Sequence, residues 1–170
     1  MKQIFADTEY WIGLVNPRDQ IHHKVMKITR ELSSVRLLTT EMVLVELLNS
    51  FGDSPFRRAV AGMVLKQRNE RNVRIVPQTP EQFESALRRY KQAAGKSWSL
   101  TDCACFQVME AEQIQAALTH DQPFVQAGFE TMKSISGTVH DHFKSSRRLW
   151  WTRSMARKNS SMPTVSRTTS

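Results

Sequence analysis

With 170 residues the chain can bury one ordinary hydrophobic core, whereas two full domains would each be left marginal. Its net charge of +8 is the footprint expected of a nucleic-acid binder, but the excess is concentrated at one end. From Thr131 onward there are eight basic residues and one acid, which leaves 16 basic and 15 acidic residues in the first 130; the basicity belongs to the tail and says little about what the globular part binds.

The chain opens on a short apolar run, Ile4, Phe5 and Ala6, closed by Asp7, a pattern that predicts a buried strand. An N-terminus that enters a strand this soon predicts no signal peptide. Ile21, Val25, Ile28 and Leu32 then recur at helical spacing, with Asp19 placed to cap. Val35 to Thr39 reads as a second strand and MVLVELL as a strongly apolar helix; Glu46 interrupts that run, which is too short to span a membrane. Ser54-Pro55 and Thr79-Pro80 each combine an N-cap with proline at the first helical position, and Gln82 completes a capping box with Thr79. Between those starts lie a helix through Val60 and Val64 and a strand at Val73 to Val76. Phe83, Ala86, Leu87 and Tyr90 mark an amphipathic helix that Gly95 ends. Ser99 opens the next helix, which carries Cys103 and Cys105. These two are too close for an ordinary disulfide, and there is no further Cys to complete a metal knuckle, so both are expected as buried small residues in a reducing compartment. A strand around Ala116 to Leu118 and a short helix after Asp121 complete the pattern.

Strands alternating with helices predict an α/β fold, a three-layer sandwich with a central parallel sheet covered on both faces. The domain is assigned to residues 1–132, and residues 133–170 to a basic, Ser/Thr-rich C-terminal extension, partly or wholly disordered. Phe143, Leu149, Trp150 and Trp151 leave open a short helix docked on the domain. A soluble cytoplasmic protein without membrane contact is expected.

Four acids require a reason. In an open parallel sheet, ligands bind outside the carboxyl ends of the strands, and Asp7 and Asp121 fall there. Glu46 interrupts an apolar helix, where a carboxylate buried without a partner would cost several kcal/mol, so something cationic should meet it; the plainer readings are a salt bridge to an Arg or a polar helix edge. Asp102 stands three residues after Ser99, a spacing that a capping box explains equally well. Two like charges about 4 Å apart at an effective dielectric near 20 repel by roughly 4 kcal/mol, so four converging carboxylates require protonation or a cation. Hard oxygen donors without a Cys or His cluster select Mg²⁺ or Mn²⁺, and such a site suits phosphodiester hydrolysis.

The segments FADTEYW, TTEMVLVELLN, SLTDCACFQVM and ALTHDQPFVQAGF resemble, in order and context, the four acidic motifs of PIN domains, most closely those of VapC-type toxins of bacterial toxin–antitoxin pairs. The resemblance runs from about Ile4 to Phe129 and implies a metal-dependent endoribonuclease that leaves a 5′-phosphate and a 3′-hydroxyl. It implies that Asp7, Asp102 and Asp121 bind Mg²⁺ or Mn²⁺, that Glu46 completes the acidic pocket, and that Thr119 stands beside the metal. Thr8 either joins that site or caps the following helix, and His120 is a position for which the family sets no expectation. The resemblance also implies an RNA substrate, a homodimer and a cognate antitoxin whose basic side chain blocks the pocket. Two other readings keep the same fold: a catalytically silent RNA- or protein-binding module, and a nuclease that acts on DNA.

Other chemistries lack support. His22 and His23 lie early in a helix and read as structural or surface residues. There is no nucleophile elbow and no phosphate-binding glycine cluster. Arg57, Arg58, Lys66, Arg68, Arg71 and Arg74 form the densest basic stretch of the domain, either a solvated helix face or, through Arg68 and Arg71, a contact for the RNA backbone beside the acidic cleft.

Overall fold

The computed structural model describes residues 2–32 and 35–132. The extension from residue 133, with its aromatic residues and its expected disorder, lies outside them.

Four strands, β1 (Lys2–Ala6), β2 (Val35–Thr40), β3 (Val73–Val76) and β4 (Ala117–Leu118), form one sheet in the order β3-β2-β1-β4. All three pairings are parallel, with Phe5 opposite Leu38 on one side of β1 and opposite Ala117 on the other. Among the described residues, seven helices connect and flank them: α1 (Thr8–Val15), α2 (His22–Glu31), α3 (Glu41–Ser50), α4 (Arg57–Gln67), α5 (Pro80–Gln92), α6 (Leu100–Ala111) and α7 (Gln122–Gln126). Successive residues of a strand face opposite sides, and Ile4, Phe5 and Ala6 are all fully buried, so both faces of the sheet are covered. The three-layer α/β expectation is met.

Two strand ends pass into helices without a loop. Thr40 is the last residue of β2 and the N-cap of α3, its side chain accepting from the Val43 N–H. Asp7 follows β1 and is the N-cap of α1, but its carboxylate makes no capping bond. These abrupt turns hold the first residues of α1 and α3 at the carboxyl edge of the sheet. Behind them, Phe106 of α6 packs edge-on against Trp98 and Phe124 and tilted against Phe129, joining α6 to the last segment of the domain.

Several elements depart from expectation. Residues 8–15, to which the sequence assigns no separate element, form α1; Thr8, Tyr10, Trp11 and Gly13 are buried and blur the amphipathic period of this two-turn helix. Asp19 accepts from the Ile21 N–H in a turn before α2, whose N-cap is Ile21 itself. Ser54 likewise closes a turn by accepting from the Phe56 N–H, and α4 starts only at Arg57. The Thr79–Gln82 and Ser99–Asp102 capping boxes are both complete. On α5 only Ala86 of the apolar stripe is buried; Phe83, Leu87 and Tyr90 remain 41%, 42% and 50% exposed.

Gly13 brings α1 against α2. A Cβ there would stand 2.8 Å from Cγ2 of the fully buried Val25 and 3.0 Å from Cγ1 of Ile21, and His22 Nδ1 lies 2.7 Å from the Gly13 carbonyl. Gly13→Ala is therefore expected to cost about 1–3 kcal/mol of stability, read from the urea midpoint, because β-branched Val25 cannot swing away cheaply. An unshifted midpoint would mean that the α1–α2 contact yields freely.

Candidate active site

The sheet register sets the geometry. Ala6 pairs with Leu118, so the next residues, Asp7 and Thr119, leave the sheet side by side at its carboxyl edge. Asp7 is 4% exposed. Its carboxyl is pushed up to about 8, first by burial, with the charges of Asp121 and Asp102 adding to the rise; the Thr8 N–H and the Thr119 hydroxyl work in the opposite direction.

Glu46 reaches the same place from α3. The Thr8 hydroxyl donates to its Oε2 over 2.6 Å, which settles the role of Thr8: it joins α1 to α3 instead of capping its own helix. Glu46 is only half-buried, so the burial penalty that the sequence assigns to Glu46 falls on Asp7. Asp102, in the first turn of α6, accepts from the Ser99 N–H through Oδ2 over 2.7 Å, while its own N–H donates to Ser99 Oγ. The capping reading of Asp102 is thus realised, and Oδ1 takes no part in it. Beneath these acids lies Cys105, fully buried, whose thiol is pushed well above its ordinary range by burial and by the charges of Asp7, Asp102 and Glu46, against the Thr40 hydroxyl. Both cysteines are free and buried, as expected.

Asp121 is exposed and N-caps α7, its own N–H donating to Thr119 Oγ1 over 3.1 Å. Asp7 thus feels the charges of Asp102 and Asp121, and Cys105 feels those of Asp7, Asp102 and Glu46. Among the described residues, however, no three His, Cys, Asp or Glu side chains form a ready ligand cluster. The donor set fits a hard divalent ion: the candidate ligands are carboxylates, and Asp7 keeps its proton at neutral pH unless positive charge is supplied.

One acidic residue at this edge of the sheet is not singled out by the sequence pattern. Glu9 Oε2 accepts from the Thr119 hydroxyl over 3.2 Å and from the His120 N–H. Glu9 stands two residues after Asp7, a spacing that puts the two side chains on different sides of a helix, and only the position of β4 reveals its partner. His120 is half-buried, its side chain 17% exposed between Glu9 and Lys24.

The basic stretch lies elsewhere. Val73 aligns with Leu37 and Leu37 with Ile4, which places Arg71 near the level of Lys2, at the amino end of the sheet and roughly 16 Å along the strand direction from Asp7. Arg68 caps the end of α4, before that turn. The register therefore separates Arg68 and Arg71 from the acids. Arg74 forms a bidentate pair with Glu112 at 2.7 and 2.9 Å.

A parallel sheet whose carboxyl edge carries these acids defines a class, and sequence comparison places the chain in it. Residues 4–130 match the PIN domain, and the chain belongs to that family. Among solved structures it is similar to VapC20 of Mycobacterium tuberculosis, a toxin that cleaves the sarcin–ricin loop. The two share 26% identity at a TM-score of 0.67, over 74% of this chain and 95% of that one. VapBC2 from Rickettsia felis, bound to a promoter DNA fragment, shares the fold at 12% identity and a TM-score of 0.55, over 76% of this chain and 96% of that one. A search of curated protein sequences finds no significant match. No helix among the described residues is long and apolar enough to cross a membrane.

The state of Asp7 yields a test. A carboxyl raised in the folded protein from its ordinary 3.8 to about 8 binds more protons folded than unfolded, so its contribution is complete at low pH and is lost as pH rises through about 8. In EDTA, wild type is expected to lose stability across this window relative to Asp7→Asn, and Mg²⁺ or Mn²⁺ is expected to restore it only in wild type. Urea unfolding across the pH range checks both; parallel pH profiles for the two proteins would contradict a buried, ionisable Asp7.

Proposed function

We propose that the chain is a Mg²⁺- or Mn²⁺-dependent endoribonuclease, the toxin of a toxin–antitoxin pair. The observation that carries this reading is Asp7, buried at the carboxyl end of β1 with the charges of Asp102 and Asp121 acting on it, a cost that a divalent cation would turn into binding. Asp7, Asp102 and Asp121 would hold the ion, with Glu46 completing the pocket. When bound, such an ion neutralises the scissile phosphate and lowers the pKa of a bound water.

The chain's own groups then divide the remaining work. Glu46 uses Oε2 for the Thr8 hydroxyl and has Oε1 to orient the attacking water. Asp102 uses Oδ2 to hold the start of α6 and has Oδ1 for the ion, so the capping box positions the ligand that shares its side chain. Thr119 bonds the N–H of Asp121 and stands beside Asp7, which keeps the two acids on facing segments.

Similarity to a toxin that cuts an RNA loop supports looped RNA as the substrate class, since loops expose bases that a duplex hides. A homodimer and an antitoxin that presents a basic side chain to the acids complete the proposal, supported by kinship with VapC-type toxins.

Asp102→Asn is the cleanest probe, because an asparagine oxygen still accepts from the Ser99 N–H and leaves the capping box in place. The variant is expected to keep its melting temperature while losing at least about 100-fold in Mg²⁺- or Mn²⁺-dependent cleavage of a looped RNA. Wild-type cleavage by the folded variant would refute the assignment. A matched DNA strand, expected to survive, distinguishes RNA from DNA specificity.

A further inference from the structure

Glu9 is a fifth carboxylate at the carboxyl edge of the sheet, and it is bound to the segment that carries Asp121. Its Oε2 accepts from both the Thr119 hydroxyl and the His120 N–H, the two residues immediately before that acid. The segment has little regular structure of its own: β4 is two residues long, α7 is five, and Asp121 between them is exposed. Glu9, in contrast, sits in the first turn of α1, the helix that starts at Asp7. Its bonds therefore tie the carrier of Asp7 directly to the carrier of Asp121.

A second line of contacts supports the first. Lys24 of α2 places Nζ 3.1 Å from His120 Nε2 and donates to the Met132 carbonyl over 2.9 Å, while the Met132 N–H donates to the Thr119 carbonyl. An ammonium has only donors, so Nε2 accepts, and the hydrogen on Nδ1 faces Glu9 Oε2 at 3.5 Å. The imidazole is then neutral, and Lys24 on its far side is the cation that opposes the charge of Glu9, which would otherwise add to the repulsion among the other acids. Carboxylate acceptors make stronger hydrogen bonds than neutral ones, so this residue type suits an anchor.

We propose that Glu9 is a positioning residue: by holding Thr119 and His120 it sets where Asp121 stands relative to Asp7, and thereby the affinity of the hollow for a divalent cation. The inference rests on the metal-nuclease reading above. Because the acids do not form a ready ligand cluster among the described residues, the affinity depends on how far the fold has already placed each of them.

The test titrates Mn²⁺ into metal-free wild type, Glu9→Asp, Glu9→Gln and Asp7→Asn by calorimetry, with circular dichroism to establish folding. Glu9→Asp keeps the charge but withdraws it by one methylene, so a purely electrostatic contribution predicts no change, whereas positioning predicts about tenfold weaker binding. Glu9→Gln keeps the length but weakens both bonds, and a loss of binding is expected there too. Wild-type affinity in folded Glu9→Asp overturns the proposal; if that variant does not fold, Glu9→Gln decides by the same criterion. Wild type that takes up no Mn²⁺, or Asp7→Asn that binds as well as wild type, would instead overturn the metal-nuclease reading.

Discussion

A carboxyl group shut away from water at the end of a central strand constrains everything around it. Asp7 cannot ionise cheaply where it stands, and the charges of Asp121 and Asp102 make ionisation harder. The Thr8 N–H offsets only part of that cost, and the single hydroxyl hydrogen of Thr119 is divided between Asp7 and Glu9. On the proposed reading a divalent cation would complete the compensation and would also serve phosphodiester hydrolysis. Stability and proposed chemistry thus meet in one group, the Asp7 carboxyl that the fold keeps from water.

The architecture delivers that constraint economically. Parallel pairing aligns the carboxyl ends of β1, β2 and β4, and loop-free passage from β1 into α1 and from β2 into α3 keeps Thr8 and Glu46 close to that edge. A single helix then serves three purposes. Asp7 begins α1, Thr8 reaches α3 and Glu9 reaches the segment after β4, while the buried Tyr10 and Trp11 fasten the helix to the domain. Gly13 allows α2 to approach closely enough that Lys24 can meet His120 from the other side. Packing far from the acids therefore bears on their placement, since displacement of α1 would move several of these contacts together.

Much of this was legible from the chain alone, for reasons that are local. A buried strand writes a continuous apolar run, as at Ile4 to Ala6, and a capping box writes a fixed four-residue spacing, as at Thr79 and Ser99. Alternation of strand and helix periods was enough for the α/β class, and the motifs around Asp7, Glu46, Asp102 and Asp121 were enough for the family. Where the local signal failed, a tertiary reason can be named. The short helix α1 is buried on too much of its surface to show an amphipathic period, and the stripe on α5 is apolar although most of it faces outward.

Order along the chain determined which residues bear carboxylates, which segments become strands and where capping fixes a helix start, because each depends on neighbours a few positions away. Only the folded sheet decided that Asp7 carries the burial that Glu46 seemed destined for, that Thr8 serves α3, that Glu9 bonds His120, and that Arg71 lies toward the amino end of the sheet while Asp7 lies at the carboxyl end. Those outcomes depend on strand register and helix packing across as many as 111 residues of separation, a distance over which local sequence pattern carries no record of who will be adjacent.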